Sequence, residues 1–142
     1  MNIDEITNGK VIDHIQAGKA MHIYAVLGLD KLDCSVAIIK NAPSKKMGKK
    51  DIIKIDGNFH IDFDVLGYIS PEATVNIIKN GIITEKMHMD LPERIVNIEK
   101  CKNPRCITST EQEIDQIFVL SDRDKAEYRC YYCDVKLEQN NV

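Results

Sequence analysis

Four cysteines crowd the last third of the chain. Cys101 and Cys106 bracket "CKNPRC" and Cys130 and Cys133 bracket "CYYC", with four residues inside the first pair, two inside the second and twenty-three between them. Two close thiolate pairs on two turns supply the tetrahedral sulfur shell that Zn²⁺ favours, and Asn103-Pro104 is a turn former inside the first pair. Disulfides are the alternative. The N-terminus "MNIDEITNGK" carries acids where a secretory signal would be basic and then apolar. The expected compartment is therefore the cytosol, where disulfides are rare. A catalytic zinc keeps one position open for water. Here cysteine fills all four, and residues 93–142 contain no histidine. The expectation is one structural zinc per chain. Cys34, alone in "LDCSVAIIK", reads as a small buried apolar residue.

A second set of reactive side chains lies earlier. Asp13-His14 follows a β-branched run, and "KNAPSKKMGKKDIIK" (40–54) holds six lysines against one aspartate. Lys45 and Lys46 read as a solvated loop. Lys54 lies inside "DIIKID" and Lys86 inside "ITEKMHM", so both project from strands. Two lysines and a histidine on one sheet face would suit a polyphosphate, because ammonium groups are good phosphate donors. The glycine-rich phosphate loops of hydrolases and dinucleotide enzymes are absent, as is His-Glu-x-x-His. No Ser-His-Asp arrangement has motif support, and the carboxylates are scattered. No catalytic residue is predicted.

The elements that must position these groups read in order. "GKVIDHI" (9–15) is a strand, with Asp13-His14 at its end. "AGKAMHIYAVLGL" (17–29) repeats apolar residues at helical spacing, with Gly28 and Asp30 near its stop. "DCSVAIIKNAPS" (33–44) is a strand running into a proline-containing loop, and "KKDIIKIDG" (49–57) is a strand closed by Asp56-Gly57. "HIDFDVLGYIS" (60–70) is a short helix with Asp62 as N-cap. "EATVNIIKNG" and "GIITEKMHM" form a hairpin about Asn80-Gly81. This is an α+β pattern: a ferredoxin-like antiparallel sheet with two helices on one face and one added strand. "DLPER" (90–94) marks a boundary, giving domains 1–92 and 93–142. The second should be small, all-β and zinc-ribbon-like, from "RIVNIEKC", "QIFVLSDR" and "AEYRCYYC".

Composition agrees with a globular chain. Of 142 residues, 44% are hydrophobic and 29% charged, and the formal net charge is −3. No apolar run approaches the roughly 20 residues that cross a bilayer, so no membrane role is expected. Residues 93–142 carry a net −2, which argues against nucleic acid as a partner.

"GKVIDHI", "MGKKDIIKI", "ATVNIIKN", "LPERIVN" and "CKNPRC…CYYC" occur in this order and spacing, and together they resemble the regulatory chain of aspartate carbamoyltransferase. The resemblance runs from about Ile3 to about Lys136. It implies a non-catalytic subunit of pyrimidine biosynthesis, with a nucleotide-binding allosteric domain and a zinc domain that docks on the catalytic chain. It implies a homodimer through the allosteric domain, in an assembly of two catalytic trimers and three regulatory dimers. It also implies inhibition by CTP, helped by UTP and opposed by ATP. Residue by residue, Asp13 and His14 would face ribose and phosphates, Lys54 the ribose and base, and Lys86 the phosphates. Asn76 matches a site asparagine, Ile6 and Val11 contacts near the base, and Lys50 a second nucleotide or a magnesium ion. Asn103 matches a loop residue that contacts the catalytic chain. Arg105 stands where some members have a second asparagine, and Asp134 is a candidate for a cross-chain hydrogen bond. Gly81 and Ile82 stand where some members carry bulk near the base.

Two other readings compete. One is a zinc-ribbon nucleic-acid-binding protein, with Tyr128, Tyr131 and Tyr132 as stacking platforms. The other is a small enzyme built on the Asp13-His14 pair.

Overall fold

A computed structural model describes residues 6–138. The chain forms two compact units, one ending at Asp90 and the other beginning at Leu91. In the first unit the strands are β1 (Gly9–Gln16), β2 (Ser35–Ser44), β3 (Gly48–Asp56), β4 (Thr74–Lys79) and β5 (Ile82–His88). They pair antiparallel in the order β2-β3-β1-β4-β5. Helices α1 (Ala20–Val26) and α2 (Phe63–Ile69) bury Ala20, Ile23, Leu66 and Ile69 in one core with Ile12, Ile53 and Val75 of the sheet. The element order and antiparallel pairing are those expected.

Local chemistry explains the punctuation. Gly28 takes φ 71 and ends the α1 region before a 3₁₀ turn, Leu29–Lys31. The Asp62 carboxylate accepts from the backbone N–H of Asp64 and Val65, capping α2. Asn80 and Gly81 have φ 53 and 76, the doubly positive pair of a type I′ hairpin.

Two features differ from expectation. Pro43 lies inside β2 rather than in a loop beyond it. The sheet order explains this, since β2 is an edge strand and proline is tolerated there. Asp13-His14 also does not end β1. The strand continues to Gln16, and a bulge interrupts it between the pairings Ile12↔Ile53 and Ile15↔Asp51. His14 takes φ 57 there, and Ile12 and Ile15, three residues apart, are both fully buried. A regular strand would point them to opposite faces; the extra residue of the bulge returns Ile15 to the core.

The second unit is a three-stranded sheet, β6 (Arg94–Val96), β7 (Ile117–Asp122) and β8 (Glu127–Cys130), in that order and antiparallel. A single turn of helix, α3 (Ile107–Thr110), joins the expected strands. Its core is small: Ile95, Phe118, Tyr128 and Leu137 are buried. The Tyr128 hydroxyl donates to the Pro92 carbonyl at 2.5 Å and Arg123 to the Leu91 carbonyl at 3.0 Å, which ties the first residues of this unit to its sheet.

Gly67 of α2 lies under the backbone of Asp90, where a Cβ would stand 2.2 Å from the Asp90 carbonyl oxygen. Gly67→Ala should therefore destabilise the first unit by about 1–3 kcal/mol. A urea midpoint lowered at unchanged m-value would be the expected reading.

Candidate functional site: a polar sheet face and a four-cysteine cluster

The face of the first sheet opposite the helices carries the polar residues singled out above. Residues directly opposite on neighbouring strands share a face. Val11 pairs with Lys54 on one side and Asn76 on the other, and Asn76 pairs with Lys86. Lys54, Val11, Asn76 and Lys86 thus form one row across β3, β1, β4 and β5. At about 4.8 Å per strand, the backbones of the two lysines lie about 14 Å apart. Asp13, Thr74 and His88 form the next row by the same pairing rule. The alternating neighbours Ile12, Ile53 and Val75 are fully buried on the helical face.

The β1 bulge adds His14 to this group. Its backbone N–H donates to Asp13 Oδ1 at 2.6 Å, and its ring Nδ1 lies 3.0 Å from Thr74 Oγ1. Lys50 Nζ is 3.0 Å from Asp13 Oδ1, and Lys50, Asp13 and His14 are each partly shielded from solvent. Two sequence-adjacent residues serve this group, Asp13 meeting Lys50 and His14 meeting Thr74, because the bulge suspends the strand alternation. Ile6 is buried before β1, with its Cγ2 2.9 Å from where a Cβ of Gly9 would stand.

Three cations, Lys50, Lys54 and Lys86, thus share this face with Asp13. Between Lys54 and Lys86, Asn76 Oδ1 is buried and has no hydrogen-bond partner among the described residues. A buried amide oxygen without a partner is costly. Thr74 was not singled out from sequence, because its place opposite Asp13 follows only from the β1–β4 register.

The four cysteines of the second unit converge. Their sulfurs all lie within 4.8 Å of one another, with Cys101–Cys133 at 3.6 Å and Cys106–Cys130 at 3.7 Å. Tetrahedral zinc with bonds of about 2.3 Å would separate its sulfurs by about 3.8 Å. The donor set therefore fits a tetrahedral soft-metal site. Its supports are local. Asn103 Oδ1 accepts from Arg105 N–H at 3.1 Å, and the Asn103 carbonyl accepts from Cys106 N–H at 3.1 Å. The Thr108 hydroxyl donates to Cys106 Sγ at 3.1 Å. On the other knuckle the Cys130 carbonyl accepts from Asp134 N–H at 2.9 Å, and Asp134 takes φ 64.

Crowding splits the thiol acidities. Burial pushes Cys101 up to about 12, and burial likewise raises Cys130. Burial also acts upward on Cys133, but hydrogen bonds from Val135 N–H, the Asn103 side chain and the neighbouring thiols outweigh it and bring Cys133 down to about 7.

Asn103, Arg105 and Asp134 flank this cluster, Arg105 and Asp134 exposed and Asn103 half-buried within its turn. Tyr128 is in the core and unavailable for stacking. Tyr131 and Tyr132 are exposed, in edge-to-face contact at 5.2 Å, with the Arg94 guanidinium 5.5 Å over the Tyr131 ring.

Comparison with known proteins agrees across both units. Residues 1–90 match the family described as aspartate carbamoyltransferase regulatory chain, allosteric domain, and residues 93–142 match its metal binding domain. A regulatory chain of that name from Clostridium botulinum is 53% identical over 134 residues, covering 94% of this chain and 92% of the relative. One from Clostridium tetani is 48% identical over 135 residues, and one from Bifidobacterium longum 45% over 134.

Metal binding to the cluster should release protons, because the ligands are thiolates. The metal-free state holds more protons, so acid favours it and apparent affinity falls as pH falls. Cys101 contributes release throughout the neutral range, whereas Cys133 contributes it mainly below about 7. Zn²⁺ titration in two buffers of different ionisation enthalpy should show more protons released at pH 6 than at pH 8. Equal release at the two pH values would contradict the split.

Proposed function

The chain belongs to the family of aspartate carbamoyltransferase regulatory chains, which are non-catalytic subunits. On that premise we propose that it binds nucleotide effectors on the polar sheet face and passes their effect to the catalytic chain through a zinc-held docking unit. The observation that carries this reading is the row Lys54–Val11–Asn76–Lys86, which sets two lysines and an amide on neighbouring strands of one face.

Each part of a nucleotide has a counterpart there. Lys86, Lys50 and His14 offer cations and donors for phosphates. Lys54 and Asp13 are near enough to engage ribose hydroxyls. Cytosine and adenine both carry an exocyclic amine donor, which the Asn76 oxygen accepts, so CTP and ATP compete for one site. Ile6 and Val11 line the apolar side. UTP assists CTP, and Lys50 serves a second nucleotide or its magnesium ion. The metal is zinc, one per chain, held by Cys101, Cys106, Cys130 and Cys133; it is structural, since its shell is full.

The catalytic chain docks beside the cluster, at Asn103, Arg105 and Asp134. Two copies of the chain pair through their first units, for which the edge of β2 is available. Three such dimers bridge two catalytic trimers in the cytoplasm. No helix of the described residues is long and apolar enough to cross a membrane. The nucleic-acid reading loses support, because Tyr128 is buried and residues 93–142 are net acidic.

Coupling is differential binding. A nucleotide shifts activity only as far as it prefers one quaternary state, typically by about 1–3 kcal/mol. Two experiments test the reading. Mixed with the catalytic chain of the same source, the zinc-loaded chain should co-elute as a large complex that separates when a chelator removes the metal. Lys54→Ala should raise the Kd for CTP by about tenfold, the scale of a lost charged hydrogen bond, with assembly unchanged. An unaltered CTP titration in that variant would remove Lys54 from the site.

A further inference from the structure

Among the described residues Asp51 is the one charged residue that is fully buried, at 0% exposure. It follows Lys50 in β3 and points to the other face of the sheet, with Ile53 and Ile55. Its carboxylate gathers three backbone N–H groups from two separate parts of the chain. Oδ1 accepts from Asn41 at 2.9 Å, and Oδ2 accepts from Gly18 at 3.0 Å and Ala20 at 3.2 Å.

These donors lie where regular structure does not supply an acceptor. Asn41 is the φ 60 residue of a second bulge, in β2, between the pairings Ile39↔Ile52 and Ala42↔Lys50. A bulge leaves its extra residue out of the ladder. Gly18 and Ala20 lie at the start of α1, where the first N–H groups lack intrahelical acceptors. Asp51 therefore replaces backbone acceptors for β2 and for the turn that leaves β1. Both neighbours of β3 are bulged at this level: β1 at Asp13-His14 and β2 at Asn41. Ile15, just past the first bulge, pairs with Asp51 itself, and Gln16 pairs with Lys50.

We propose that Asp51 is a positioning residue of the nucleotide site: from behind β3, its carboxylate holds the bulge of β2 and the turn that leaves β1, and so fixes the stretch of β3 that sets Lys50 against Asp13. It never touches the ligand, and its effect falls on the phosphate end, where Lys50 and His14 lie. An asparagine would not substitute. Its single oxygen cannot serve donors on both sides, and its amide nitrogen would face a backbone N–H. A glutamate has no room at a fully buried position. The inference rests on the nucleotide reading above and adds to it a residue that acts from the far face of the sheet.

The test is selectivity in the full, zinc-loaded chain. CTP and CMP differ only at the phosphates, so the ratio of their Kd values isolates the phosphate end. Asp51→Asn should reduce the preference for CTP over CMP by about fivefold or more, the scale on which a lost hydrogen-bond partner acts. A merely structural role would lower the melting temperature and leave that ratio as it is. Hydrogen exchange on the wild-type chain carries the test should the variant fail to fold. Saturating CTP should slow exchange at Gly18, Ala20 and Asn41, although all three amides lie behind the sheet. An unchanged CTP/CMP ratio in a folded variant, or unchanged exchange at these amides with CTP bound, would overturn the proposal. No CTP binding to the wild-type chain would overturn the nucleotide reading and this inference together.

Discussion

Two bulges on either side of β3 decide what each face of the first sheet carries. A strand alternates its side chains strictly, so a chain reading Ile12-Asp13-His14-Ile15 cannot bury both isoleucines and expose both polar residues. The extra residue at His14 resolves the conflict. It leaves Ile12 and Ile15 in the core and lets Asp13 meet Lys50 and His14 meet Thr74. The bulge of β2 at Asn41 performs the matching shift on the other flank. The left-handed backbone at His14 and Asn41 is unfavourable for most side chains, least so for asparagine and its like. It persists because hydrogen bonds over-determine it: Asn41 N–H donates to Asp51, His14 N–H donates to Asp13, and the His14 ring meets Thr74.

The second unit solves a different problem. Three short strands and a single helical turn bury only a few large side chains, chiefly Phe118, Tyr128 and Ile95. A core of that size is marginal alone. Metal coordination at four converging thiolates adds apparent binding energy of about 10–16 kcal/mol in small zinc peptides, which outweighs such a core. The polar supports around the sulfurs follow from this. Asn103 closes the first knuckle and Thr108 donates to Cys106. Both orient the ligands before any metal arrives, as donors around a metal site commonly do.

Much of this was legible in sequence, for identifiable reasons. Capping and turn chemistry are local, so Asp62, Gly28 and Asn80-Gly81 announce α2, the end of α1 and the β4–β5 hairpin. Cysteine spacing is likewise self-explanatory, because few other purposes require two close pairs. The face shared by Lys54 and Lys86 was readable from strand periodicity, once each was assigned to a strand. What escaped depends on pairing. The bulge at His14 is a property of β1 against β3, and the sequence of β1 alone suggests only that the alternation must relax. The role of Pro43 depends on β2 lying at an edge. Asp51 looks like one more charge in a lysine-rich segment until three distant N–H groups are seen to converge on it. Thr74 joins the polar face only through its register with Asp13. Long-range pairing, not composition, carries that information.

The layout of the polar face also bears on how a bound effector could be felt elsewhere. Under the proposed function a nucleotide bridges Lys54, on the inner strand β3, and Lys86, on the edge strand β5. The inner strands are pinned by the helices and by Asp51, whereas β5 is exposed along nearly its whole length and joined to β4 through an irregular register at Ile77 and Ile78. If the edge strand shifts against the inner ones, a ligand spanning both binds best at one particular separation. Ligands of different size, such as a pyrimidine and a purine nucleotide, then favour different settings of the β4–β5 hairpin. By reciprocity, whatever sets the hairpin from outside changes the affinity for each nucleotide by the same factor that the nucleotide imposes on it. Opposed effects of two nucleotides at one site thus need no second pocket. They need only a face that is rigid on one side and compliant on the other.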